Sequence, residues 1–349
     1  MAGRCGRWGG IVGSSSRITR TGRLLAGALA FAAVLGAPAA RAADTVQLAL
    51  SWLVSGKNAG YFVALQKGYY AAEGLNVTIS RGSGSGDTIK RIAAGESTFG
   101  LADSASVLQA QADEGTPVKM VAMMSDKSPV AVLYVAEAGN AKPQDLRGKT
   151  IARSAAGASV NMFPAFLKAN GIERASLNEV VATPSSFVAL MLSRKVEAVL
   201  DQSSYLQRYR KAGAAAGVRI DAFRYADYGL DIYGDVIFVK TDLATGNPDL
   251  VRRFVRASIK GSEYAFAHIP EAIEILRKTN PEIEPDIGQA ELQDYTDLAW
   301  TAGARAHGLG TFDPERMRHV QGVLAEYLGL KTTLPLDQVY SAQFLPKKD

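Results

Sequence analysis

Asp103-Ser-Ala-Ser106-Val-Leu108-Gln109 and Asp201-Gln-Ser-Ser204-Tyr-Leu206-Gln207 agree at four of seven positions in one register. Each follows a short apolar run, at 98–102 and 198–200, and each opens a stretch of helical character. Upstream, Phe62-Val-Ala64-Leu-Gln-Lys67 matches Phe163-Pro-Ala165-Phe-Leu-Lys168 in the same order. Chance similarity between amphipathic helices accounts for either match alone, whereas two matches in one order point to an internal duplication.

The surrounding pattern supports two α/β halves. Strands are predicted at 46–50, 77–79, 98–102 and 118–124, with helices at 60–67, 88–94 and 104–113 between them. A second set of strands, at 130–135, 150–153, 180–182 and 198–200, alternates with helices ending near Gly171, Ser193 and Ala212. Such alternation, with glycines closing the helices, predicts parallel sheets covered by helices on both faces. The last third reads as helices at 248–268, 270–279, 285–300 and 313–327, with Pro270 and Pro285 in first-turn positions. With no strands left for a third sheet, these helices are expected to pack on the first lobe. The segment 125–130 leads outward and the strand at 236–240 leads back, so two adjacent crossovers form a hinge. The expected organisation is an export segment at 1–42, a first lobe at 43–127 plus 240–349, and a second lobe at 128–239.

In each half, loops lie at the carboxyl ends of the strands, the edge where open α/β sheets hold ligands. They are 51–58, 83–88 and 103–104 in one half, and 154–160, 183–186 and 201–202 in the other. Two such edges facing each other make a cleft. The Arg81-Gly-Ser-Gly-Ser-Gly-Asp-Thr88 loop frees the backbone and leads into a helix, so N–H groups and hydroxyls collect there. It fits neither the phosphate-cradling G-x-x-x-x-G-K-[ST] nor the dinucleotide G-x-G-x-x-G spacing, which argues against nucleotide chemistry.

The amino terminus carries a different message. Arginines at 4, 7, 17, 20 and 23 precede an apolar run at 24–35 and end in Ala40-Arg41-Ala42. This is the form of a Sec-type secretory signal cleaved near Ala42, and the run is shorter than the about 20 residues that span a bilayer. Six of the 39 Lys and Arg residues lie within 1–42, where there is no acid, leaving 33 against 34 acidic residues afterwards. The remaining chain is near neutral, with no basic surfeit for nucleic acid. Its only cysteine, Cys5, would leave with the signal, so neither disulfides nor cysteine-based metal sites are expected. His268, His307 and His319 are the only imidazoles; they are scattered, and neither a metal pair nor a catalytic constellation emerges. No cofactor and no catalytic residue are expected.

Leu48-Ala-Leu-Ser-Trp52, Asn58-Ala-Gly60-Tyr-Phe62, Lys67-Gly-Tyr-Tyr-Ala-Ala-Glu-Gly-Leu75, Gly82-Ser-Gly-Ser85 and Ala94-Gly-Glu-Ser-Thr-Phe-Gly-Leu101 resemble motifs of the SsuA/THI5-like (NMT1-type) solute-binding proteins. Asp145-Leu-Arg-Gly-Lys-Thr-Ile151 and Asn247-Pro-Asp-Leu-Val-Arg-Arg-Phe254 match later blocks in order, so the resemblance covers about 45–270. It implies a type II periplasmic binding protein fold, with two α/β lobes joined by a two-strand hinge, a ligand cleft between them and a venus-flytrap closure. It also implies a monomer that delivers a small molecule to an ABC transporter permease in the inner membrane. Ligands in the family include sulfonates, taurine, nitrate and pyrimidines. Pyrimidine binders place an acid before the tryptophan and a histidine in the next loop, whereas Ser51 and Lys57-Asn58 stand here. The family also contains a pyrimidine synthase that uses a histidine and a cysteine-rich motif with iron. The export signal and the absence of cysteine after Cys5 argue against that activity. A binding module feeding a sensor is a further alternative.

The candidate ligand-binding residues are Ser51, Trp52, Asn58, Ser83, Gly84, Ser85, Asp103, Ser104, Ser154, Gly157, Ser159, Asp201, Gln202 and Tyr233. Trp52 offers a flat face for a planar ligand. The hydroxyls are donors or ordinary helix caps. Asp103 and Asp201 accept N–H groups of a ligand or cap the helices that follow them. Arg153 faces an anion or pairs with a neighbouring acid.

Overall fold

The duplication is expressed as two five-stranded sheets of like order. A computed structural model describes residues 42–136 and 142–347; the expected export segment up to residue 41, including Cys5, lies outside the described residues. The first sheet begins with β1 (Asp44–Ala49), β2 (Leu75–Ser80), β3 (Phe99–Asp103) and β4 (Val118–Met123). The chain then crosses to β5 (Val130–Val135), β6 (Thr150–Arg153), β7 (Asn178–Val181), β8 (Ala198–Gln202) and β9 (Ile220–Arg224). It returns with β10 (Asp235–Lys240). The orders are β2-β1-β3-β10-β4 and β7-β6-β8-β5-β9, so β3 and β8, the strands that end in Asp103 and next to Asp201, hold the same place.

The sheets are mixed, not wholly parallel as the alternation predicted. In each, four strands run in one direction and one runs against them: β10 is antiparallel to β3 and β4, and β5 is antiparallel to β8 and β9. The cause is the crossover itself. A strand arriving from the other lobe enters at the cleft, where the parallel strands end, and therefore runs against them. Asp235, the first residue of β10, sits opposite Asp103, the last of β3. Both β5 and β10 are almost continuously buried, as strands covered on both faces require.

Helices α1 (Ala59–Gln66), α2 (Ser85–Ala93) and α3 (Ser104–Glu114) flank the first sheet. Helices α4 (Ala158–Ala169), α5 (Phe187–Leu192) and α6 (Leu206–Ala215) flank the second. Then come α7 (Pro248–Ala267), α8 (Ile269–Arg277), α9 (Pro285–Ala299) and α10 (Pro314–Leu328). Helix α7 buries Leu250, Val251, Phe254, Val255, Ser258 and Ala265, a helical stripe. Its Phe254 stacks on Phe99 of β3 at 3.7 Å, which fixes α7 to the first lobe.

The expectation that all carboxyl-terminal helices pack on the first lobe is corrected by α9 and α10. Glu291 of α9 accepts from the Gly56 N–H at 2.8 Å in the first lobe and pairs with Arg208 of α6 at 2.8 Å in the second. One turn on, Asp294 accepts from Arg224 at 2.6 Å and from the Ser203 hydroxyl at 3.1 Å. Helix α10 packs against both α3 and α4, and Lys168 of α4 donates to the Glu326 carbonyl. An apolar stripe tells that a helix face is covered, and leaves open which lobe covers it.

Candidate functional site

The two lobes meet through a matched pair of glycines. Gly84 caps α2 with φ 140° and ψ 153°, and Gly157 caps α4 with φ 149° and ψ 161°. Both angles lie where a side chain is strained, so glycine is required at each. A Cβ built on Gly84 would lie 3.3 Å from the Ala156 carbonyl oxygen and 3.5 Å from the Gly157 Cα, so the two caps touch across the cleft. Helix α2 begins at Ser85, earlier than the predicted residue 88, which shortens the Gly/Ser loop to its rim. The Thr88 hydroxyl ties it down, donating to the Leu50 carbonyl at 3.0 Å.

Beside this contact opens a cavity of about 680 Å³. Trp52, Leu53, Arg81, Ser83 and Asp87 line it from the first lobe; Ser154, Ala155, Ala156 and the loop 181–185 line it from the second. Trp52 reaches across the cleft. It packs against the second lobe's core, and a Cβ on Gly157 would stand 3.7 Å from its ring. Val181, 62 % exposed, supplies an apolar wall opposite the polar Gly/Ser rim. Arg81 and Asp87 are exposed charges of opposite sign, so the lining carries no net charge.

Of the candidate residues, the structure brings Trp52, Ser83 and Ser154 onto this lining and places Gly84 and Gly157 at the contact beside it. Ser154 spends its hydroxyl on the Ala156 carbonyl at 2.7 Å, and Arg153 pairs with Glu179 at 2.7 Å. The other candidates lie off the lining, and most are held by partners within the protein. The Ser85 hydroxyl accepts from the Asp103 N–H at 3.1 Å, and Ser104 donates to the Tyr233 carbonyl at 2.9 Å. Asn58 accepts from the Ser55 N–H at 3.1 Å. The Tyr233 hydroxyl accepts from the Asp313 N–H at 3.1 Å, and Arg316 lies 4.6 Å from its ring. Ser159 is buried and its carbonyl accepts from the Tyr225 hydroxyl at 2.9 Å. Ser51 is buried, and its hydroxyl has no partner among the described residues.

Beneath the rim lies a sealed polar cluster. Lys57, its side chain 1 % exposed, donates to Asp235 at 3.0 Å and to Gln202 of the second lobe at 2.9 Å. Asp103 caps α3 through the Ala105 and Ser106 N–H groups and accepts from the Ser128 hydroxyl at 3.0 Å. Burial pushes its carboxyl up to about 7, with the Asp235 charge adding to the rise and the hydrogen bonds opposing it. Burial likewise raises Asp201 to about 6, against the Tyr209 hydroxyl that donates to it at 2.7 Å.

Of the lining residues outside the candidate set, Leu53, Arg81, Gly82, Asp87, Ala155, Ala156 and 183–185 fall within the loops read from the sequence, whereas Val181 and Ala182 lie outside them. Arg81 and Asp87 flank the quoted glycines and were readable as its charged ends. Val181 carried no signal, because a valine closing a short strand reads as core. Among the described residues, no three His, Cys, Asp or Glu side chains are grouped to hold a metal, and no helix is long and apolar enough to cross a membrane.

The NMT1/THI5-like family model matches residues 56–272. The riboflavin-binding protein RibY of Chloroflexus aurantiacus is 28% identical over 90% of this chain and 91% of its own length. The formylaminopyrimidine-binding protein of Halalkalibacterium halodurans is 25% identical over 74% of this chain and 77% of its own. A 4-amino-5-hydroxymethyl-2-methylpyrimidine phosphate synthase of Legionella pneumophila is 24% identical over 70% and 76%. Among solved structures, the alkanesulfonate-binding protein SsuA of Xanthomonas axonopodis, bound to MOPS, superposes with TM-score 0.67 at 13% identity, covering 85% of this chain and 99% of that one. This likeness shows the fold: a type II periplasmic binding protein, two α/β lobes with a cleft between them.

Proposed function

Because this chain belongs to the NMT1/THI5-like family, we propose that it is the periplasmic solute-binding component of an ABC importer and closes on a flat, uncharged heteroaromatic molecule. The observation that carries this reading is the cavity between the lobes, with the Trp52 indole on one side, apolar Val181 on another and one charge of each sign. A sulfonate or nitrate is favoured by a net positive lining, and here Arg81, the cation on the lining, is balanced by the Asp87 carboxylate. The buried Lys57 is already bound to Asp235, and Arg153 to Glu179. A planar ring instead gains contact area on the indole at small entropic cost. The names of two relatives, which bind riboflavin and a formylaminopyrimidine, support the same ligand chemistry.

In this reading the lobes, 43–127 plus 240–349 and 128–239, turn about the segments joining β4 to β5 and β9 to β10. Ligand contacts fall on both lobes, so binding favours the closed arrangement and shifts the hinge equilibrium towards it. The protein acts as an exported monomer and presents the closed form to a membrane permease. It performs no chemistry on the ligand.

A thermal-shift and calorimetry panel of riboflavin, formylaminopyrimidine, MOPS and nitrate tests this. A heterocycle that binds raises the melting temperature by mass action. Binding of MOPS or nitrate with no heterocycle binding overturns the ligand class, and iron-dependent turnover of a pyrimidine substrate by the purified protein overturns the non-enzymatic role.

A further inference from the structure

A second cavity, of about 420 Å³, adjoins the first, and Leu53 and Arg81 stand in the walls of both. Its remaining polar lining is Arg208 from the second lobe and Asn280, Glu282 and Glu284 from the turn between α8 and α9. Arg208 is held by Glu291 at 2.8 Å and Glu284 by Lys211 at 2.6 Å. The Arg81 guanidinium and the Glu282 carboxylate are exposed and have no ion-pair or hydrogen-bond partner among the described residues. The cavity thus offers one unspent donor group and one unspent acceptor group, with charges that balance.

That balance selects the chemistry. A phosphate or sulfonate there would face Glu282 and Glu284, and an ammonium group would face Arg81 and Arg208, so a charge of either sign meets repulsion. A chain of hydroxyls both donates and accepts and meets none. We propose that the second cavity is a subsite for a flexible, polyhydroxylated, uncharged tail, carried by the ring that the first cavity holds against Trp52. Arg81, in the walls of both cavities, stands at the junction of ring and tail, and Glu282, in the wall of the second alone, faces the tail. The proposal rests on the heterocycle reading above and adds to it that the ligand has two parts.

Calorimetry with riboflavin, which carries a ribityl chain, and lumiflavin, the same isoalloxazine ring with a methyl group in its place, tests the tail directly. The wild-type protein is expected to bind riboflavin about tenfold or more tightly than lumiflavin, which is one well-made set of hydrogen bonds. In Glu282→Ala and Arg81→Ala, checked by thermal melts for an intact fold, the ratio of the two affinities falls towards one. Equal affinity for the two compounds in the wild type, or a ratio that both variants leave unchanged, overturns the subsite. Binding of formylaminopyrimidine with no flavin binding overturns the subsite alone. Absence of any heterocycle binding overturns the ring reading, and the subsite with it.

Discussion

The cleft rim and the cluster beneath it are built from the same kinds of residue, and differ in whether those residues already have partners. At the rim, Arg81 is unpaired among the described residues, Asp87 is exposed, and the flank of Trp52 lines open space. A few residues deeper, Lys57 donates to Asp235 and Gln202, and Ser128 donates to Asp103, which sits opposite Asp235 in the sheet. Polar groups that satisfy one another hold the lobes; polar groups that face a void are left for a ligand. The first set should therefore govern stability and the second affinity.

The largest effect expected is on the buried side. Lys57→Met leaves Asp235 without its cation in the interior, and breaking a buried pair in this way costs about 3–5 kcal/mol. Chemical denaturation should show that loss. A Lys57→Met protein as stable as the wild type would mean that the cluster is open to water and that rim and interior are not distinct.

On the rim, Trp52→Ala should weaken binding of the heterocycle found in the panel by about 2 kcal/mol, roughly thirtyfold, through lost apolar contact. Titration calorimetry reads this. Unchanged affinity would remove the indole from the ligand's wall and leave it as a strut between the lobes.

Asp103 sharpens the contrast through pH. Its folded carboxyl sits at about 7, above the ordinary value of 3.8, so the folded state holds the proton more tightly than the unfolded one. Its stabilising contribution is therefore complete below about pH 4 and is lost as the pH rises towards 7. In Asp103→Asn, which keeps an acceptor for the helix cap, the fall in stability between pH 5 and 7.5 should shrink by on the order of 2 kcal/mol. Identical pH profiles for the two proteins would show a hydrated carboxylate.

The smallest effect belongs to the seam outside both regions. Arg224 and Asp294 pair at 2.6 Å, with side chains 38% and 18% exposed. Arg224→Ala should cost about 0.2–1 kcal/mol, diminishing further in high salt. A larger loss would make the α9 seam, and not the Lys57 cluster, the main tie between the lobes.

Much of this was legible in the residues. The duplicated Asp-x-x-Ser-x-Leu-Gln segment told of two like halves, and β3 and β8 hold like places because the same local pattern builds the same unit twice. The strand-end loops were located by their glycines and hydroxyls, and Trp52, Ser83 and Ser154 do line the cavity. Asp103, Ser104, Asn58 and Tyr233 stood at equally suitable places and were read in the same way. In the structure they lie off the lining and meet Ser128, Tyr233, Ser55 and Asp313 within the protein, and no local pattern announces which neighbour a hydroxyl or carboxylate will find.

By itself, the sequence determined the alternation of strands and helices, the repeat, and which loops gather at the strand ends, because these follow from periodicity and backbone preference within a few residues. Only the tertiary structure decided the direction of β5 and β10, the bridging of the lobes by α9 and α10, and the division of one set of polar residues into a sealed cluster and an open rim. Those outcomes rest on contacts such as Lys57 with Asp235 and Gly56 with Glu291, between residues far apart in the chain, and on the burial that makes an unpaired charge costly.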